Sequence, residues 1–135
     1  MQDWRCSKGE SLLIPSGPSE KRHLFAILLD PCRVEGRGSK PHVLLASVLS
    51  IKPGMFVDDS CLLKPGDHPF IRHDSFIDYR FTRLEQAEHV EARVAEGVFD
   101  VKESCSPDLI RRIIEGALKS PRIPREYKMI LKNQL

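Results

Sequence analysis

A chain of 135 residues with a formal net charge of +2 is long enough to bury one core without disulfide support and too short for several domains. Its 41% hydrophobic and 30% charged residues exclude a wholly disordered chain, and no apolar run is long enough to cross a bilayer as a helix. The charge is uneven: residues 61–104 are net acidic and residues 105–135 net basic, which suits either an anionic partner or a solvated helical face.

In chain order, residues 1–10 mix charged and polar groups around Trp4 and read as a partly frayed segment. Ser11–Ile14 is a short apolar run closed by Pro15, a first strand, with Ser16-Gly17-Pro18-Ser19 as the loop behind it. Lys21-Arg22-His23 leads into Leu24–Leu29, a continuous apolar run that suits a strand buried on both faces and is stopped by Asp30-Pro31. Residues 33–41 hold two glycines among charges and read as an exposed loop, whose Arg33, Arg37 and Lys40 are placed to follow a phosphate backbone. His42–Ser50 is the next strand and Ser50 falls at its end. Pro53-Gly54 turns the chain, and Ser60–Leu63 begins another short strand.

The stretch Cys61–Leu84 carries the densest chemistry. A Pro65-Gly66-Asp67 turn precedes Phe70-Ile71, which His68 and His73 flank. Across Ser75–Arg83 the residues Ile77, Tyr79 and Phe81 alternate with Asp78, Arg80 and Thr82, so the period of two predicts the first three on a core face and the others on a polar face. On that geometry Asp78 and Arg80 lie about 7 Å apart and pair only weakly. Beyond Leu84 the period changes. Ala87, Val90, Val94 and Val98 mark one helix ending near Gly97, and Ser106-Pro107-Asp108 is a capped start for a second over Ser106–Lys119, packing Leu109, Ile113 and Leu118. Pro124 opens a third, with Tyr127, Leu131 and Leu135 aligned. The whole predicts one α+β domain over residues 1–135. A small curved antiparallel β-barrel occupies about 11–83, and two or three C-terminal helices follow in 84–135.

Lys21-Arg22 before an apolar strand, then HVLLASVLS, then the strand SFIDYR, together resemble the PemK/MazF-type toxin barrels, over about Ser11 to Arg83. The segment GDHPFIRHDSFIDY is also similar to one in small bacterial proteins expected to share that barrel. The resemblance implies an SH3-like barrel, a homodimer, and a metal-independent endoribonuclease that cleaves single-stranded RNA and is inhibited by a partner antitoxin. It implies no cofactor. His23 departs from the pattern, standing where such proteins often carry Pro after the Arg, and Ser47 and Ser50 both stand near a Thr/Ser position.

Metal-free cleavage of RNA needs a base for the 2′-hydroxyl, an acid for the leaving oxygen and fixed cations for the phosphorane. The catalytic candidates are Arg22, Ser50 and His73, with Arg22 taking its place from the resemblance and Asp74 or Asp78 available to orient His73. Lys21, His68, Arg80, Arg33, Arg37 and Lys40 are the substrate-binding candidates. Each has a plainer reading: solvated charge for Arg22, a turn hydrogen bond for Ser50, structural roles for both histidines. A non-catalytic small barrel that binds protein or nucleic acid is the alternative. Cys6, Cys32, Cys61 and Cys105 lack the spacing of a zinc site, so no metal is expected, and four reduced thiols with no secretory leader point to a cytoplasmic protein.

Overall fold

The computed structural model describes residues 3–16 and 21–135, so Gly17–Ser19 of the expected loop, like Met1 and Gln2, lie outside the described residues. Among the described residues six strands and three helices follow one another as β1 (Ser11–Pro15), β2 (Arg22–Ile27), β3 (His42–Ser50), β4 (Leu62–Leu63), β5 (Ser75–Gln86), α1 (Ala87–Ala95), β6 (Asp100–Lys102), α2 (Pro107–Lys119) and α3 (Arg125–Asn133). All strands join one antiparallel sheet, in the order β4-β5-β3-β2-β1-β6, which curls into a half-barrel. β3 is central and its residues Val43–Val48 are all buried, as the near-continuous apolar run requires of a strand covered on both faces.

The ends of α1 and α2 follow signals in their sequences, whereas α3 stops at Asn133 and leaves Leu135 of the expected stripe exposed. The Ser106 hydroxyl accepts from the Leu109 N–H at 3.1 Å, Pro107 occupies the first helical position, and α2 buries Leu109, Ile113 and Ala117, with Leu118 half-buried. α1 closes in a Schellman motif: Val98 N–H donates to the Arg93 carbonyl and Gly97 N–H to that of Val94, with Gly97 at φ 78°. The left-handed turn carries Val98 out to solvent, so the apolar stripe of α1 ends at Val94, one position short of expectation.

Three further features differ from the sequence reading. Residues 3–10 are tied down rather than frayed: the Trp4 indole donates to Glu10, Cys6 N–H to Glu91, and Arg5 pairs with Glu91. A sixth strand, β6, lies inside the stretch read as helical and pairs with β1 from Leu13↔Asp100 to Ser11↔Lys102. The third concerns β5. Between the pairs Leu45↔Arg83 and Ser47↔Asp78, only Ala46 on β3 faces Tyr79, Arg80, Phe81 and Thr82 on β5. This bulge breaks the period of two. Tyr79 stays buried, Phe81 turns to solvent at 53% exposure, and Asp78 and Thr82 turn inward.

The bulge also leaves backbone groups without ladder partners, and its own side chains satisfy them. Asp78 Oδ1 accepts from the Arg80 N–H at 3.2 Å, and the Thr82 hydroxyl donates to the Tyr79 carbonyl at 2.8 Å. Asp78 and Arg80 are brought together by the same kink, Nε–Oδ1 2.9 Å and Nη2–Oδ2 2.6 Å, where a regular strand would hold them apart.

Candidate nucleic-acid interface

The start of β2, the end of β3 and the start of β5 meet at one end of the sheet, because antiparallel neighbours alternate direction. Ser50 pairs with Ser75, and the β2–β3 register, carried two residues past its last pair Leu24↔Val48, faces Arg22 with Ser50. Residues 64–74, the β4–β5 connection, cross this end as a strap. Two anchors fix the strap. Arg112 of α2 pairs with Asp67 at 3.3 Å and donates to the Leu62 carbonyl at 2.9 Å. His68 reaches the far edge of the sheet, where Nε2–H donates to the Glu103 carbonyl at 2.7 Å and lies 3.1 Å from Ser11 Oγ. The Phe70 N–H donates to Nδ1 at 3.0 Å, which fixes the tautomer.

Between strap and strand ends lies a cleft of about 620 Å³. Its cations are Lys21 and Arg22 from β2 and its approach, Lys52 after β3, Arg72 on the strap and Lys102 on β6, against one carboxylate among the described residues, Glu103. Two imidazoles, His23 and His73, and the hydroxyl-bearing Ser50 and Ser75 line it as well, and Phe70 adds a half-exposed ring. A cation-rich cleft with an aromatic wall is suited to a flexible polyanion that carries planar groups.

Four of the residues singled out from sequence therefore line one cleft: Lys21, Arg22, Ser50 and His73. Arg22 is not a lone cation there, since its guanidinium pairs with Asp100 of β6, both side chains being nearly half exposed. His73 is exposed, and its ring has no hydrogen-bond partner among the described residues; Asp78 is committed to Arg80 and does not orient it. His68 is 1% exposed with both nitrogens engaged, so it clasps the fold instead of facing the cleft. Arg80 lies outside the cleft, on the β5 bulge. So do the loop cations, with Arg37 paired to Glu126, Lys40 to Glu88, and Arg33 exposed.

His23 is the site residue that sequence reasoning set aside. Its Nδ1 lies 2.5 Å from Ser16 Oγ, and burial first, then the charges of Lys21 and Lys52, hold its pKa below the ordinary histidine value. A lowered pKa favours the neutral ring, the form that acts as a base. The signal was present in Lys21-Arg22-His23, an imidazole beside two cations at a strand start.

The thiols supply no nucleophile. Burial, and secondarily Glu91, pushes Cys6 up to about 12, while burial and Glu10 push Cys105 up to about 11. Among the described residues no three His, Cys, Asp or Glu side chains converge as a metal-binding group, and no helix is long and apolar enough to cross a membrane. No protein-family model, no curated protein and no solved structure matches the chain.

Proposed function

We propose that the half-barrel is a toxin-type, SH3-like barrel that binds single-stranded RNA in the cationic cleft and cleaves it without a metal ion. The observation that carries this reading is the convergence of Lys21, Arg22, Lys52, Arg72 and Lys102 with His23 and His73 around one cleft. The strand order of motifs that resembles the PemK/MazF barrels supports it from the sequence side, and brings with it a homodimer and an antitoxin that blocks the cleft. In the reaction so assigned, neutral His23 takes the 2′-hydroxyl proton and the 2′-oxygen attacks phosphorus. The P–O5′ bond breaks, His73 gives its proton to O5′, and the products are a 2′,3′-cyclic phosphate and a 5′-hydroxyl. Arg22 and Ser50 face the charge that grows on the phosphoryl oxygens.

Asp100 competes with the phosphate for Arg22. An exposed ion pair contributes about 0–1 kcal/mol, which two charge-assisted hydrogen bonds to a phosphate exceed. The test is cleavage of a mixed-sequence single-stranded RNA in a chelator, with the product ends identified. Wild type should leave cyclic phosphates, and Arg22→Ala and His73→Ala should each cut at least about 100-fold more slowly with unchanged circular dichroism. Lys21→Ala should weaken binding and lower the salt slope by about one. A wild-type protein that neither binds nor cuts RNA would defeat the proposal. Binding without cutting would leave the non-catalytic module, the reading that the existing Arg22–Asp100 pair favours.

A further inference from the structure

The β5 bulge puts two successive side chains, Arg80 and Phe81, on the outer surface. Arg80 is held flat there by its two hydrogen bonds to fully buried Asp78. Its guanidinium carbon lies 4.5 Å from the centroid of the Phe56 ring and 5.2 Å from that of Phe81. Arg122, after α2, lies 5.0 Å from the Phe56 centroid. The rings nonetheless stay open to solvent, Phe56 at 40% and Phe81 at 53%. Contact with a fixed guanidinium restrains both exposed rings and so lowers the entropy cost of ordering them against a partner.

We infer that Phe56, Arg80, Phe81 and Arg122 form a second subsite for the same single strand, on which bases stack after leaving the cleft. This rests on the reading of the cleft as an RNA site. Continuity supports it, because Met55 lines the cleft and the next residue, Phe56, belongs to the platform. Charge supports it too. Asp78 compensates Arg80, whereas Arg122 makes no ion pair among the described residues and acts on buried Asp58 only at longer range, so its exposed side can meet a phosphate. Exposed rings alternating with the guanidinium groups of Arg80 and Arg122 match alternating bases and phosphates, and every base offers a face to stack.

The subsite predicts a dependence on strand length. A trinucleotide held in the cleft should bind Phe56→Ala/Phe81→Ala as it binds wild type, whereas a decanucleotide should bind the double variant about tenfold or more weakly, one stacked base being the expected loss. Phe81→Trp should keep decanucleotide affinity. Equal decanucleotide affinity in wild type and double variant, or an equal loss at both lengths, would overturn the subsite while leaving the cleft reading intact. So would a self-association of wild type, seen by sedimentation, that the double variant loses without any change in RNA affinity. Failure of wild type to bind RNA of either length, with Lys21→Ala no different, would overturn both readings together.

Discussion

At the base of the β3–β4 connection, buried Asp58 collects a Ser60 N–H on Oδ1 at 2.9 Å and the Ser120 hydroxyl on Oδ2 at 2.6 Å. Ser120 in turn accepts the Arg122 N–H at 3.0 Å, so one carboxylate ties the loop carrying Phe56 to the end of α2. Burial alone would raise the Asp58 pKa; the hydrogen bonds from Ser120 and Ser60 and the charge of Arg122 outweigh it and hold the value below the ordinary one. A depressed folded-state pKa means that this stability is fully present above the unfolded-chain value, about 3.9, and is lost as pH falls through the folded value. Asp58→Ala should therefore cost about 1–3 kcal/mol in urea unfolding at pH 7, the range for stranding buried polar partners. The gap between Asp58→Asn and wild type should begin to narrow below about pH 4, as the unfolded-chain carboxylate protonates, and close as pH falls through the lower folded-state value. A gap that is constant down to pH 2 would show that the carboxylate charge contributes nothing.

Within α2, Gly116 sits in a helix interior, where Ala would ordinarily be about 1 kcal/mol better. Docking reverses the preference. A Cβ at Gly116 would collide with the Tyr79 hydroxyl and come within 2.8 Å of Cys61 Cβ and 2.9 Å of the Ser60 carbonyl, while Tyr79 itself donates to the Ile113 carbonyl at 2.6 Å. None of these is the loose end of a flexible chain, so Gly116→Ala should lower stability by about 1–3 kcal/mol and shift the thermal midpoint down by several degrees. An unchanged or raised midpoint would mean that α2 slides freely on the sheet. The contrast between Gly116 and Ser106 marks what was legible in advance. Ser106-Pro107 speaks through its own backbone, and so do the apolar run of β3 and the glycine after α1; all three were readable locally. β6 was not, because Asp100-Val101-Lys102 has no periodicity of its own and is a strand only where β1 offers an edge. Phe81 was placed on the wrong face because nothing in an alternating pattern announces extra residues opposite Ala46. The cleft was half legible: Arg22 and Ser50 sit at strand ends that antiparallel order gathers together, and His73 lies on the strap just before β5. Arg33, Arg37 and Lys40 shared their chemistry and lay at the wrong end of the sheet's connections.

At the scale of the whole molecule, His68 links the two ends of the sheet. The sheet has two free edges, β4 and β6, and short edge strands of two and three residues hold little on their own. His68, on the strap that follows β4, spans the mouth and bonds both to Ser11 of β1 and to the carbonyl just past β6, while the Ser11 hydroxyl donates to that carbonyl at 2.6 Å. The strap is thus fastened to α2 at Asp67 and to the opposite sheet edge at His68, and the cleft wall formed by Phe70, Arg72 and His73 hangs from that fastening. Removing the ring in His68→Ala leaves the Phe70 N–H unpaired and opens a void where the imidazole was 1% exposed, a combined loss of about 2–4 kcal/mol. The loss should be directional. Native-state hydrogen exchange should show protection falling most in residues 64–74, β6 and the outer edge of β1, and least in β3, which keeps neighbours on both sides. Uniform loss across all strands would mean that the clasp and the central sheet unfold as one unit. In that case the strap could not shape the cleft independently of the core.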